Sequence, residues 1–186
     1  MNAIHFETAF AMLNDELAKV GEMLMLICVG GYVMQLHGLR ATVGVDAFFT
    51  SNLVVNNAIR KVGDKLGINR HDELWLNDSV ASKNPTPPPE RQELVHQFSN
   101  LTVNKVDMVY LMGMKLHSGR EQDVQDVAAI LAMDGNKAPL QLKSELTKMG
   151  FVVDVSVLLE AYGVAYGMDW LSEFYTDNEL ALQDIF

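Results

Sequence analysis

The sequence is short of cysteine. A single cysteine, Cys28, stands among 186 residues, so no disulfide can form within the chain. This cysteine usage fits a reducing compartment, and we expect a cytoplasmic protein. Cys28 lies inside an apolar run without a basic neighbour that would activate its thiol. We therefore expect a buried, hydrophobic side chain rather than a nucleophile.

Long apolar runs and a targeting signal are also missing. The longest apolar stretch, Met23–Met34, contains two glycines and is shorter than the roughly 20 residues that a membrane-spanning helix needs. The N-terminal segment MNAIHFETAF carries Glu7 and lacks the positively charged region of a secretory signal. Both absences predict a soluble protein without a membrane partner.

Positive charge is scarce as well. The chain has 14 Lys and Arg against 24 Asp and Glu, which gives a formal net charge of −10. Such a balance argues against a general DNA-binding surface. The hydrophobic share of 49% and the charged share of 20% are those of a globular protein and exclude bulk disorder. The oligomeric state is left open by these numbers.

Proline is confined almost entirely to one place. The segment Asn84–Pro89 contains most of the five prolines, and it predicts a surface loop because proline breaks regular structure. After Asp107 the spacing of apolar residues and glycines predicts only helices. The expected helices are Met108–His117, Gln122–Met133, Leu140–Met149, Val153–Gly163 or beyond, and Met168–Leu182.

The first half of the chain alternates between helix and strand patterns. Helices are predicted at Phe6–Val20, Tyr32–Leu39 and Leu53–Leu66, and strands at Met23–Val29, Val45–Thr50 and around Phe98–Val106. We expect an α+β protein with a small mixed sheet flanked by helices. Residues 1–134 would form the main domain, and residues 135–186 a helical C-terminal extension packed on it.

The stretch Leu24–Phe49 is the expected centre of the fold. It reads as a strand, a Gly30-Gly31 turn, a short helix and a returning strand that carries one carboxylate, Asp46. This order would place the glycine backbone beside Asp46. Backbone amides next to a carboxylate suit a nucleoside triphosphate with its metal ion.

A second group of polar residues follows in the helical half. Lys115 lies within an apolar stripe, so its ammonium group either reaches solvent or points at a phosphate. Asp123 and Asp126 are neighbours in the first turn of the next helix. The helix dipole alone explains Asp126, whereas Asp123 is placed to form an ion pair with Arg120.

Four motifs follow one another in this chain: Gly30-Gly31, Arg40-x-Thr42-x-Gly44-x-Asp46, Trp75-Leu76-Asn77-Asp78, and Met114-Lys115-Leu116 followed by Arg120-x-x-Asp123-x-x-Asp126. In this order and spacing they resemble the minimal nucleotidyltransferase-like family of the DNA polymerase beta-like superfamily. More distantly, they are similar to the nucleotidyltransferase toxins of type IV toxin–antitoxin systems. The resemblance covers about Val20–Met133 and leaves the helical tail after Leu140 unassigned.

The resemblance implies a nucleotidyltransferase that moves NMP from an NTP to a hydroxyl group on protein or RNA. Asp46 would hold Mg²⁺ and, with Lys115 and Asp123, make up the catalytic set. The nucleotide would be bound by Gly30, Gly31, Arg40, Thr42 and Arg120.

One position departs from the family pattern. The family carries Asp-x-Asp on the strand after the glycine turn, and this chain has Gly44 where the first acid belongs. A single carboxylate holds Mg²⁺ weakly. Three functions therefore stay open. They are an active transferase, a non-catalytic binding or interaction module such as one component of a toxin–antitoxin-like pair, and a plain helical adaptor without any link to nucleotides.

Overall fold

A computed structural model describes residues 6–71 and 73–183. The chain divides after Asp107 into two compact units, residues 1–107 and 108–186. The first unit combines helices with a mixed sheet and the second contains only helices among the residues described. The expected α+β class with a small mixed sheet is confirmed. A compact unit is not by itself an independently folding domain, so the boundary expected after residue 134 stays a prediction.

The first unit alternates helices and strands. Its helices are α1 (Phe6–Val20), α2 (Gly30–Leu36) and α3 (Leu53–Leu66), and its strands are β1 (Leu24–Val29), β2 (Val45–Phe48), β3 (Leu76–Asn77), β4 (Gln92–Gln97) and β5 (Leu101–Val106). A short 3₁₀ helix at Pro89–Arg91 leads into β4. The bounds of α1 and α3 are those predicted from the sequence.

The strands form one five-stranded sheet in the order β3-β2-β1-β5-β4. The central strand β1 runs parallel to β5 and antiparallel to β2. The edge strand β3 runs parallel to β2, and the edge strand β4 runs antiparallel to β5. Five of the six residues of β1 are buried, Leu24, Leu26, Ile27, Cys28 and Val29, as a central strand covered on both faces requires.

Local signals in the sequence fix α3. The side chain of Asn52 accepts a hydrogen bond of 2.8 Å from the backbone N–H of Val55, which caps the helix start. Gly67 ends the helix in the left-handed conformation, with φ at +66°. On the surface, Glu16 of α1 accepts from Lys61 of α3 at 2.5 Å, so an ion pair joins the two helices.

The second unit is a set of six helices within the described residues. They are α4 (Met108–Ser118), α5 (Glu121–Asp134), α6 (Pro139–Lys148), α7 (Val155–Tyr166), α8 (Met168–Asp177) and α9 (Glu179–Gln183). The single helix expected at Met168–Leu182 is therefore interrupted at Asn178, which ends α8. In the part of the chain that the structure describes, no helix is long and apolar enough to cross a membrane.

Aromatic side chains join α7 to α8 in the second unit. The ring of Trp170 stacks between Tyr162 and Phe174, with centroid distances of 5.5 Å to each. The hydroxyl of Tyr162 donates to Oδ1 of Asn136 at 2.7 Å, and the hydroxyl of Tyr166 donates to the carbonyl of Leu131 at 2.6 Å. These aromatic residues are therefore part of the helical core.

Two strands of the sheet were not predicted. β3 is only two residues long, and β4 is an edge strand of which no residue is fully buried. An edge strand of this kind lacks the alternation of apolar and polar residues by which a strand is recognised. Its place is fixed by pairing with β5, where Lys105 also donates to Glu93 across the two strands.

Candidate functional site

The turn between β1 and α2 brings glycine and carboxylate together. Val29 pairs with Asp46 across the antiparallel β1–β2 ladder. Gly30 follows with φ at +62°, a conformation that favours glycine. A Cβ atom added at Gly30 would lie 3.2 Å from Oδ2 of Asp46. The expected proximity of the glycine turn and Asp46 is thus confirmed.

The second glycine is in contact with the loop before β2. A Cβ atom added at Gly31 would lie 2.6 Å from Oγ1 of Thr42 and 3.4 Å from a terminal nitrogen of Arg40. The backbone N–H of Thr42 donates to Oε1 of Gln35 at 2.9 Å, and its hydroxyl donates to the carbonyl of Gly44 at 3.1 Å. The close packing of this loop therefore explains Gly31 without any ligand.

Asp46 itself is half-buried and has a neutral partner. Its Oδ1 accepts a hydrogen bond of 3.0 Å from the side-chain amide of Asn77, its neighbour in the β2–β3 ladder. Asn77 in turn accepts from the backbone N–H of Ser79 at 3.2 Å and from its hydroxyl at 2.6 Å. The Trp75-Leu76-Asn77-Asp78 motif therefore supplies the partner of Asp46.

Cys28 lies on the strand beside this carboxylate. Burial raises the pKa of its thiol well above the ordinary value, and the charge of Asp46 raises it further. The side chain is fully buried, which confirms the expectation of a hydrophobic rather than a reactive cysteine.

A cavity of about 180 Å³ lies beside Asp46. Its lining residues are Thr42, Val43, Gly44, Asp46, Ile68, Arg70, Glu73, Leu74, Trp75 and Asn77. Gly44, where the resemblance implies a first acid, is one of its walls. Glu73 brings a second carboxylate to the same cavity. No local sequence pattern predicts this contribution of Glu73, because the whole of α3 lies between Asp46 and Glu73 in the chain.

Trp75 forms the wall of the cavity next to Gly44. Its backbone N–H donates to Oδ1 of Asn69 at 3.1 Å, and its indole N–H donates to the carbonyl of Ile59 at 3.0 Å. Its ring stacks on Phe6 of α1 at a centroid distance of 6.0 Å. A Cβ atom added at Gly44 would lie 3.3 Å from the Trp75 carbonyl oxygen, so any side chain at position 44 is tightly confined.

The acids that line the cavity beside the glycine turn are Asp46 on β2 and Glu73. Mg²⁺ takes octahedral oxygen ligands, and such sites use one or two carboxylates together with substrate phosphates. Here β2 carries one acid, and one of its oxygens accepts from Asn77. Over residues 6–71 and 73–183, no three His, Cys, Asp or Glu side chains are grouped so that they could hold a metal ion.

The second unit contains a buried cluster of charged residues. Nζ of Lys115 on α4 lies 2.5 Å from Oδ2 of Asp126 and 3.1 Å from Oδ1 of Asp123, both on α5. The three residues are 6%, 3% and 2% exposed, respectively. At its edge, Nε of Arg120 donates to Asp123 at 2.7 Å, and the amide of Gln122 donates to Asp126 at 3.1 Å.

This buried cluster has balanced charges. Two carboxylates face one ammonium group and one guanidinium group. Burial alone would raise the pKa of Asp123, but the hydrogen bond from Arg120 and the charge of Lys115 together hold that pKa below its ordinary value. The expected ion pair of Arg120 with Asp123 is confirmed. Asp126, which the helix dipole alone seemed to explain, is a buried partner of Lys115.

The predicted site residues fall into two groups. Gly30, Gly31, Arg40, Thr42 and Asp46 lie together in the first unit, and Lys115, Arg120 and Asp123 lie together in the second. A single site that contains both groups stays a prediction.

Comparisons of the chain with protein-family models, with curated proteins and with solved structures gave no match.

Proposed function

We propose that this chain is a nucleotidyltransferase-like protein that acts as a binding and interaction module and does not transfer nucleotides. The family assignment rests on the order of the four sequence motifs. The loss of transfer rests on one observation, the single carboxylate at Asp46, whose Oδ1 accepts from Asn77. A two-metal transfer site needs acids that bridge the ions, and β2 supplies one.

The glycine turn supports this proposal. In a transferase the two glycines would allow a triphosphate to approach the backbone. Here the space next to the Gly31 Cα atom is taken by the side chain of Thr42, at 2.6 Å from a hypothetical Cβ atom. At Gly30, a hypothetical Cβ atom would lie 3.2 Å from Oδ2 of Asp46. The turn is accordingly explained by close packing of the protein on itself.

The charged cluster of the second unit also supports a protein that does not transfer nucleotides. A lysine that neutralises phosphate charge must offer its ammonium group to the substrate. Lys115 is 6% exposed and bonded to two carboxylates. Under the proposal, Lys115, Asp123 and Asp126 stabilise the packing of α4 on α5.

An active transferase is the second candidate, and Glu73 favours it. This residue lines the same cavity as Asp46, so it offers a carboxylate in place of the acid missing at Gly44. In that case Asp46 and Glu73 would hold Mg²⁺, and the NMP group would go to a hydroxyl on protein or RNA.

A transfer assay separates the two candidates. The chain is incubated with Mg²⁺ and each of the four NTPs labelled at the α-phosphate, with total RNA and its own hydroxyl groups as acceptors. We expect no transfer by the unmodified chain. Transfer that disappears in both Asp46→Ala and Glu73→Gln would overturn the proposal and establish the second candidate.

Two further measurements test the proposal. One is nucleotide binding, and the other is transfer by a variant in which the acid at position 44 is restored. Calorimetric titration of ATP, CTP, GTP and UTP with Mg²⁺ is expected to show no heat that depends on Asp46, with Asp46→Ala as the matched variant. Gly44→Asp restores the family pattern, although its Cβ atom requires the Trp75 carbonyl to shift slightly, since the two would be 3.3 Å apart. Circular dichroism is used to check that this variant folds. Transfer gained by folded Gly44→Asp alone would show that the missing acid is what prevents the reaction.

A further inference from the structure

The second unit has an apolar groove on its surface along α7, α8 and α9. One part, of about 540 Å³, is lined by residues of α7 and α8, and a second part, of about 500 Å³, by residues of α8 and α9. Tyr175 lines both parts, so they adjoin. We call the two parts together the α7–α9 groove.

The walls of the α7–α9 groove expose apolar side chains. Val164 is 48% exposed, Met168 68% and Tyr175 40%. The floor is made by Leu159, Leu171 and Leu182, which belong to one buried cluster. A contiguous apolar surface over a buried cluster is typical of protein interaction sites. The flexible side chain of methionine adapts to different partners.

The charged residues that line the groove have the same sign. Its lining contains two charged residues, Glu160 on α7 and Glu179 on α9. Residues 149–186 contain no Lys, Arg or His. Further exposed acids in this segment are Asp154, Asp169, Glu173 and Asp177. The groove is therefore apolar at its centre and acidic at its rim.

We propose that the α7–α9 groove binds a basic amphipathic helix of a partner protein. An apolar groove between helices accepts the apolar stripe of a further helix, and an acidic rim selects Lys and Arg on the flanks of that stripe. The proposal names a partner for the interaction module put forward above, and it rests on that proposed function.

Charge argues against two other occupants. A second copy of this chain would bring an equally acidic surface to the groove, and like charges facing each other weaken association. An anionic membrane surface is repelled for the same reason. A basic helix is the one of these three whose charge complements Glu160 and Glu179.

The probe is a synthetic helical peptide with leucine at positions i, i+3, i+4 and i+7 and lysine or arginine on both flanks, labelled with a fluorophore. A control peptide keeps the leucines and replaces every basic residue by glutamate. Fluorescence anisotropy with the full chain, without nucleotide or Mg²⁺, is expected to show binding of the basic peptide only. Its affinity should fall as salt is raised, because exposed charges are screened.

Charge-reversal variants place the binding at the groove. Glu160→Lys with Glu179→Lys should weaken the basic peptide by roughly tenfold, since two partly exposed ion pairs become repulsive contacts. Asp169→Lys with Glu173→Lys changes the net charge equally but alters residues that do not line the groove. This control should retain affinity within about twofold, because its effect is long-range and screened.

Apolar variants test the centre of the groove. Met168→Ser should weaken the peptide several-fold, whereas Leu53→Ser, at a residue that is 77% exposed in the first unit, should leave affinity unchanged. Both side chains are largely exposed, so neither change disturbs the fold.

Three results would overturn the proposal. One is equal binding of the basic and the acidic peptide. Another is an equal loss of affinity in the two charge-reversal variants, which would indicate general attraction to an acidic protein. The last is a dimer in sedimentation analysis that Met168→Ser dissociates, which would show a second copy in the groove. None of these results depends on nucleotide transfer. A failure of the groove proposal and a failure of the proposed function are therefore detected in different assays.

Discussion

Two acidic regions of this molecule differ in their surroundings. Asp46 on β2 is half-buried and accepts a hydrogen bond from a neutral amide, that of Asn77. Asp123 and Asp126 on α5 are almost fully buried and are bonded to Lys115 at 3.1 and 2.5 Å. The first is a carboxylate at the edge of a cavity, and the others belong to an internal charged cluster.

The difference shows what burial does to a charged residue. A carboxylate removed from water needs a cation and hydrogen bonds, or its burial costs several kcal/mol. The cluster around Lys115 meets that requirement, so its charges are used within the protein. Asp46 is partly exposed, and its Oδ1 accepts from the neutral amide of Asn77. Of the predicted acidic site residues, it is the one placed to meet a ligand.

The largest effect is expected when the cation of the buried cluster is removed. Lys115→Met leaves two buried carboxylates without their ammonium partner, and we expect the free energy of unfolding to fall by about 3–5 kcal/mol. Urea unfolding followed by circular dichroism measures it. Lys61→Met is the matched control, because Lys61 pairs with Glu16 at the surface with its side chain 64% exposed, and it should cost less than about 1 kcal/mol.

Replacing the carboxylates as well should reverse part of this loss. In Lys115→Met with Asp123→Asn and Asp126→Asn, no charge is left buried in the cluster, so the triple variant should be more stable than Lys115→Met alone. Equal stability of Lys115→Met and Lys61→Met would show that the buried cluster does not differ from a surface ion pair.

An intermediate effect is expected at the glycine turn beside Asp46. The added methyl group of Gly31→Ala overlaps Oγ1 of Thr42, and overpacking of this kind costs about 1–3 kcal/mol. Thr42→Gly in the same chain removes the overlapping atoms and should restore part of the lost stability. Thermal unfolding of the single and double variants gives the comparison. If Gly31→Ala alone were fully stable, packing on Thr42 would not explain this glycine.

The smallest effect is expected at Asp46 itself. In Asp46→Asn the side-chain oxygen can still accept the hydrogen bond from Asn77, so we expect a change in unfolding free energy within about 0.5 kcal/mol. Asp123→Asn is the same chemical change within the buried cluster and should cost clearly more, because Lys115 and Arg120 lose a charged partner. An equal loss in the two variants, measured by urea unfolding, would remove the distinction between the regions.

Local patterns were enough to predict most of the elements. The bounds of Phe6–Val20 and Leu53–Leu66 follow from apolar spacing and from an Asn cap and a Gly end that act within a few residues. The edge strand Gln92–Gln97 was missed because its stability comes from pairing with Leu101–Val106. The break at Asn178 between α8 and α9 was also missed.

The candidate site was predictable only in part. Gly30 and Asp46 are joined by a strand–turn–helix–strand unit of known geometry, so their proximity followed from the order of the elements. Glu73 reaches the same cavity from beyond α3, and no local pattern relates it to Asp46. Asp126 was assigned to the helix dipole because the sequence does not show which face of α5 is buried against α4.

By itself, the sequence determined the α+β class, the inert Cys28, the pairing of Arg120 with Asp123, and the acidic, cation-free C-terminal segment. These properties depend on composition and on neighbours a few residues apart. Only the tertiary structure decided that Thr42 closes on Gly31, that Asn77 bonds Asp46, and that Lys115 is held between two aspartates. Each depends on segments that meet only when the chain folds, and it is this meeting that determines which charges are buried and which remain available to a ligand.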